Sequence, residues 1–174
     1  FGKRAVLVYE AVRGIDPSPV QAVGEKPPQV TADHEFETDT NDPAALQAAL
    51  YRLVERAGDG LRRRRRAARG VAVVVDYSDG VRWVRQSAAR PATANDITLF
   101  ETACRALRAA GSRRMRVRHL RLVCNRLVFP PAQISLFDDE RQTAEKRARI
   151  IGALDAVRRR FGRDALQVGR TLTA

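Results

Sequence analysis

The sequence predicts an α+β domain of split β-α-β-β-α-β type, a four-stranded, mainly antiparallel sheet with two helices on one face, flanked by N- and C-terminal helices. Three observations predict it. Runs rich in β-branched residues trade places with runs of helical apolar spacing in that order across residues 30–122. Asp79-Gly80 separates the two middle strand runs, which is a strong hairpin signal. Both helical runs have a capping residue in front of them. No internal repeat interrupts the pattern.

The elements follow in order. Phe1 to Val12 reads as a short helix, and Gly14 fits the left-handed stop after it. Ile15 to Pro28 holds four of the eight prolines and reads as a linker. Val30 to Thr38 roughly alternates, as a strand does. Asp42 and Pro43 are cap and first residue of a helix that carries Leu46, Leu50, Leu53, Val54 and Leu61 to about Arg64. Gly70 to Val75 and Val81 to Ser87 are the hairpin strands. Thr93 or Asn95 caps a second helix with Ile97, Phe100, Cys104 and Leu107 on its apolar face, ending before Gly111. Arg114 to Leu122 reads as the fourth strand, and its apolar parity flips near Leu120, which marks a bulge. Thr143 to Phe161 is helical, with Ile150, Ile151, Leu154, Val157 and Phe161 on one face and Gly162 ending it.

Charge divides the chain. Leu61 to Arg126 carries 17 basic residues against Asp76, Asp79, Asp96 and Glu101, a net +13, while the other 108 residues are at −1. Localised positive charge is the footprint of a polyanion partner. No apolar run is long enough to span a membrane, and no secretory leader pattern is present, so the expected location is cytoplasmic. The chain opens on Phe1 without an initiator Met and reads as part of something longer. Cys104 and Cys124 lack further ligands at metal spacing and read as reduced structural thiols. His34 and His119 stand apart, Asp33 with Glu35 reads as a solvated pair, and Asp138-Asp139-Glu140 charges a tail. No phosphate loop, nucleophile motif or metal-ligand spacing is present. The sequence thus predicts no catalytic residues, no metal ligands, no cofactor in this chain and no small-molecule substrate.

Nucleic-acid binding fits better. Arg114, Arg116 and Arg118 at period two form a row on one strand face, about 6.6 Å apart, which can follow successive phosphates. On the hairpin, Arg82 shares a face with Val84, and Trp83 and Arg85 share the other. The block Arg62 to Arg66 serves either helix capping or DNA contact. Beyond Phe129-Pro130-Pro131-Ala132 comes Gln133-Ile134-Ser135-Leu136-Phe137, an extended peptide that offers an amide for hydrogen bonding and two large apolar side chains for a pocket.

Several stretches together resemble the Y-family (translesion) DNA polymerases of the DinB and UmuC type. Gly2 to Val20 looks like the end of their thumb domain, and Lys26 to Asn125 like their linker and little-finger domain. Val117-Arg118-His119-Leu120-Arg121-Leu122 is similar to the family's V-R-x-L-G-V strand, with Arg121 in the Gly position. Gln29 stands near a family Ser. Gln133, Ile134, Ser135, Leu136 and Phe137 resemble the family's sliding-clamp peptide, with Ile for Leu, and Leu154 to Asp164 resembles the tail after it. The implied division is thumb end 1–20, linker 21–28, little finger 29–128, clamp-binding peptide 129–139 and helical tail 140–174.

The resemblance implies that the little finger grips DNA primer-template through Arg118, with Arg85 and Ser87 on the hairpin, alongside Arg82, Arg114 and Arg116. It implies a bacterial sliding clamp as second partner, and a polymerase parent whose magnesium-binding palm lies upstream. A catalytically inactive ImuB-like adaptor shares both features. A split βαβ domain that binds RNA is a further alternative, calling for exposed aromatics on central strands, of which Trp83 is the one candidate.

Overall fold

A computed structural model describes residues 9–10, 12–15, 27–109, 114–130, 138–162 and 165–169. Its elements are β1 (Val30–Thr40), α1 (Pro43–Arg63), β2 (Ala67–Tyr77), β3 (Arg82–Thr93), α2 (Asp96–Ala109), β4 (Val117–Val128) and α3 (Asp138–Phe161). The four strands form one sheet in the order β1-β4-β2-β3, with every neighbouring pair antiparallel. β4 is therefore inserted between β1 and β2, which α1 connects.

Local chemistry sets each boundary. Asp42 accepts hydrogen bonds from the Ala44 and Ala45 amides at 3.1 Å, and Pro43 follows it at the first helical position. Asn95, the second of the two expected caps, holds the start of α2 by accepting from Ile97 N at 3.0 Å and Thr98 N at 3.4 Å. Thr93 contributes one step earlier, accepting from Asn95 N. Gly80 takes φ 81° in the hairpin turn, where a side chain would be strained.

One face of the sheet carries Val71, Val73 and Val75 of β2, Leu120, Leu122 and Cys124 of β4, and Val30 and Ala32 of β1. Leu50, Leu53, Val54, Ala57 and Leu61 of α1 and Leu99, Phe100, Ala103 and Ala106 of α2 close over it. Both helices thus cover one face and leave the other open. Cys124 sits in this core, where burial pushes its thiol up to about 12, and neither Cys104 nor Cys124 forms a disulfide. That makes Cys124 inert as a nucleophile.

Two expectations are corrected. The fourth strand was expected over Arg114 to Leu122, and β4 instead spans Val117–Val128. β2 ends at Tyr77, opposite Val117, so Arg114 and Met115 have no strand to pair with, and only the Arg116 carbonyl adds one bond, from Ser78 N. β3 runs past the expected end at Ser87 to Thr93, through Pro91. It is an edge strand, where a missing N–H leaves no ladder bond unmade. The expected bulge in β4 is present and falls at Arg118, between Val117, which pairs with Tyr77, and His119, which pairs with Asp76. Most of the expected N-terminal helix, residues 1–8 and 11, lies outside the described residues, while Gly14 takes the expected left-handed φ of 78°.

The C-terminal helix packs on the domain. Ile151 of α3 is buried in a cleft lined by Ala67, Pro91, Ala92 and Pro130. The Arg62 guanidinium, from the last turn of α1, binds Asp155 of α3 through Nε at 2.6 Å and Nη2 at 2.8 Å. It also reaches Asp96 of α2 at 2.6 Å and the Ala94 carbonyl at 2.8 Å. Arg158 of α3 donates to Glu55 of α1 at 2.5 Å. Two arginines thus hold three carboxylates, and the part-buried cluster is one positive charge short. Asp96 bears that shortage. Burial, reinforced by Asp155 and Glu55, raises it to about 6 although Arg62 pulls it down. Arg62 is lowered by its own burial, yet hydrogen bonds to Asp155 and Asp96 carry it above its usual range.

Candidate nucleic-acid interface

Sheet pairing decides which face each predicted contact residue occupies. Val75 is opposite Trp83 and Val73 opposite Arg85, so Trp83, Arg85 and Ser87 lie on the helix side of edge strand β3. Arg85 stacks over the Trp83 ring at 5.2 Å, and its Nε donates to the Ala109 carbonyl at 3.2 Å. Trp83 itself packs against the core, edge-on to Tyr77. It is not the exposed stacking platform that an RNA-binding sheet calls for.

Arg82 lies on the open face together with Val84 and Gln86. It is not a free cation there. Its Nε and Nη2 grip Asp76 at 2.5 and 2.9 Å. Asp76 in turn meets His119 Nδ1 at 3.1 Å, and His119 Nε2 meets Asp33 at 3.2 Å. Asp33 also takes the Arg121 Nε at 2.5 Å. A ladder of hydrogen-bonded arginine, aspartate and histidine side chains therefore crosses all four strands. The hydrogen bond from Arg82, helped by His119, holds the Asp76 carboxyl below its ordinary value. Sequence reading missed this ladder and took Asp33 for a solvated carboxylate, because its partners stand 86 and 88 residues away in the chain. The alternation of residues along β1 and β4 puts them on one face, and only the register reveals the contact.

Past the ladder the open face carries Ala72, Gln86, Val123 and Asn125. Gly70 has no side chain because the amides of Gln86 and Asn125 meet above it at 3.5 Å, and a Cβ there would collide with both.

Unpaired cations stand where β4 begins. Arg114 and Arg116 are exposed, just before β4, and make no ion pair among the described residues. Arg118, at the bulge, approaches Asp39 at 3.4 Å with its side chain more than half exposed. The expected row of three on one strand face is thus replaced by three arginines clustered at one end of the sheet. The Arg62 to Arg66 block divides as well: Arg62 joins the buried cluster, Arg63 pairs with Asp59, Arg64 donates to the Gln29 carbonyl, and Arg66 stacks over Phe129 at 3.8 Å. Gln133, Ile134, Ser135, Leu136 and Phe137 lie outside the described residues. Burial lowers His34, with help from Arg52 and Arg56, and it packs edge-on to Phe36. Among the described residues no three His, Cys, Asp or Glu side chains come together as metal ligands do. No helix among them is long and apolar enough to cross a membrane.

Comparison with known proteins places this fold. The DNA polymerase IV of Dehalococcoides mccartyi is 29% identical over 172 residues, covering 98% of this chain and 43% of that protein. The DNA polymerase IV of Alkalilimnicola ehrlichii is 34% identical over 96 residues, covering 55% of this chain and 27% of that protein. The chain spans less than half the length of these curated relatives. Among solved structures, a DinB family error-prone DNA polymerase from Sulfolobus solfataricus superposes with a TM-score of 0.53 at 12% identity, over 74% of this chain and 37% of that one. An insertion ternary complex of Dbh DNA polymerase gives 0.54 at 12% identity, over 73% of this chain and 36% of that one. Both agree with the split β-α-β-β-α-β fold. Residues 27–136, which hold the whole sheet and both covering helices, match the impB/mucB/samB family C-terminal domain, and the chain belongs to that family.

Proposed function

We propose that this chain is the DNA-holding and clamp-tethering C-terminal part of an error-prone translesion DNA polymerase acting in DNA damage tolerance in the cytoplasm. Nucleotide addition belongs to a palm domain outside these 174 residues, where magnesium would supply the metal chemistry. Within the chain, 29–128 is the little finger, 1–20 the thumb end and 21–28 the linker. The clamp peptide spans 129–139 and the helical tail 140–174. Arg114, Arg116 and Arg118 hold the primer-template backbone from one end of the sheet, with Arg82, Arg85 and Ser87 of β3 alongside. Gln133, Ile134, Ser135, Leu136 and Phe137 bind the sliding clamp.

The observation that carries this reading is the combination of family membership with a charge excess of +13 confined to 66 residues of that domain. Arginines left unpaired and exposed are costly company for one another unless a polyanion neutralises them. The names of the relatives, DNA polymerase IV, supply the polyanion. Two measurements test it. The chain should bind primer-template DNA, and Arg114→Gln/Arg116→Gln/Arg118→Gln should weaken that binding about tenfold or more, each lost phosphate contact removing about 0.9 from the salt slope. It should also bind a bacterial sliding clamp, and Gln133→Ala/Leu136→Ala/Phe137→Ala should abolish that. A wild-type chain that ignores both partners contradicts the proposal.

A further inference from the structure

Between α1 and α3 lies a cavity that the function above does not use. Its volume is about 500 Å³, within the range of small-molecule sites, roughly 300–1000 Å³. His34 of β1 lines it. His34 pairs with Leu120 of the core, so the cavity belongs to the side of the sheet that the helices cover. Three arginines of α1, Arg52, Arg56 and Arg63, and two of α3, Arg158 and Arg159, stand on its walls. The acids among them are Glu55, Asp59 and Asp155.

Each of these acids is already held by an arginine. Glu55 takes Arg158 at 2.5 Å, and Asp59 takes Arg63 at 2.9 Å. Asp155 is held at 2.6 Å by Arg62, which does not line the cavity. Arg56 and Arg159 are left to carbonyls. Arg56 Nη2 donates to the Asp33 carbonyl at 2.5 Å, and Arg159 Nε to the Asp155 carbonyl at 3.2 Å. Both are exposed and make no ion pair among the described residues. A carbonyl accepts the hydrogen bond but leaves the charge uncancelled. The resulting field is felt at His34, which burial lowers first and Arg52 and Arg56 lower further.

We infer that this cavity binds a small polyphosphate anion, held between Arg56 of α1 and Arg159 of α3 with Arg52 beside them. The guanidinium fork matches the oxygens of a phosphate two at a time, and it keeps its charge at every working pH. Cations on two walls call for more than one phosphate, since a single one on α1 leaves Arg159 uncompensated. A nucleoside triphosphate and inorganic pyrophosphate both carry that chemistry. Because the two walls are separate helices, an occupant also ties α3 to α1 and stabilises the docked tail. The inference does not depend on the DNA-binding role proposed above.

The test is isothermal titration calorimetry of the full chain at low salt with inorganic pyrophosphate and, separately, with ATP, both free of magnesium. One-to-one binding is expected, weaker by about tenfold or more in Arg56→Gln/Arg159→Gln. Should that variant melt early, Arg159→Gln alone, whose bond lies within α3, reads the same loss. Because the chain is basic elsewhere, Arg114→Gln/Arg116→Gln/Arg118→Gln is the control and should bind both anions as the wild type does. Pyrophosphate bound at least as tightly as ATP assigns the site to the free anion, and tighter ATP assigns it to a nucleotide. No binding of either anion overturns the inference. So does binding that the 56/159 change leaves intact, or that the 114/116/118 change removes. Amide hydrogen exchange gives a second reading. Saturating anion should slow exchange in residues 142–161, and an unchanged α3 would overturn the bridge between the helices.

Discussion

Glycine inside a helix costs roughly 1 kcal/mol relative to alanine, yet Gly58 stands in the middle of α1. The Asp96 carboxylate and the Arg62 guanidinium occupy the space its side chain would need. Gly58→Ala should therefore lower stability by about 2 kcal/mol in urea unfolding, against its helical propensity. The same site sets a pH dependence. Asp96 titrates near 6 in the folded chain because burial outweighs Arg62, against 3.8 for an ordinary aspartate. The folded state then holds a proton that the unfolded state has released. This contribution to stability is complete below about pH 4 and lost as pH rises through about 6, of order 3 kcal/mol in all. Comparing urea midpoints of wild type and Asp96→Asn from pH 4 to 7.5 should show the wild type losing stability relative to the variant over that window. Neither effect is legible in the sequence. Gly58 and Asp96 lie 38 positions apart, and nothing in either segment names the other.

At the scale of elements, α3 is joined to the domain through Ile151, Arg62–Asp155 and Arg158–Glu55. Its polar contacts sit on one side, within two turns. Asp155→Asn combined with Arg158→Gln should speed amide hydrogen exchange throughout residues 142–161 and leave the β2 and β4 amides protected. Protection of α3 that survives the double change would mean that its apolar face alone holds it. The sequence shows this helix and its apolar stripe, but the surface that receives it is assembled from three elements and has no local signature. Elements whose signals are local read well: Asp42-Pro43 opens α1, Asp79-Gly80 turns the hairpin and Gly162, at φ 97°, ends α3. Where the limit is set by a partner, the reading failed. The alternation of Arg114, Met115 and Arg116 imitates a strand, but β2 stops at Tyr77 and offers nothing to pair. The sequence reading ended β3 at Ser87, and the strand's edge position in the sheet allows it to continue through Pro91 to Thr93.

For the whole molecule, charge and topology divide the work. Two helices and one sheet face make the core, while on the other face Arg82 pairs with Asp76 and Arg121 with Asp33, and His119 stands between the two carboxylates. Within the surplus of positive charge, Arg114 and Arg116 make no ion pair among the described residues. The sequence located that surplus in one stretch but could not say which arginines stay free, since pairing across strands depends on register. Removing His119 should leave Asp33 and Asp76 without the group that joins them, so His119→Ala should lower stability by about 1 kcal/mol in urea unfolding. The most direct test of the central claim is the affinity of the chain for primer-template DNA as a function of salt. If Arg114, Arg116 and Arg118, with Arg82 and Arg85 alongside, grip phosphates, log K should fall with log salt at a slope of about −4 to −6. A slope near zero, or no binding at low salt, would contradict the account.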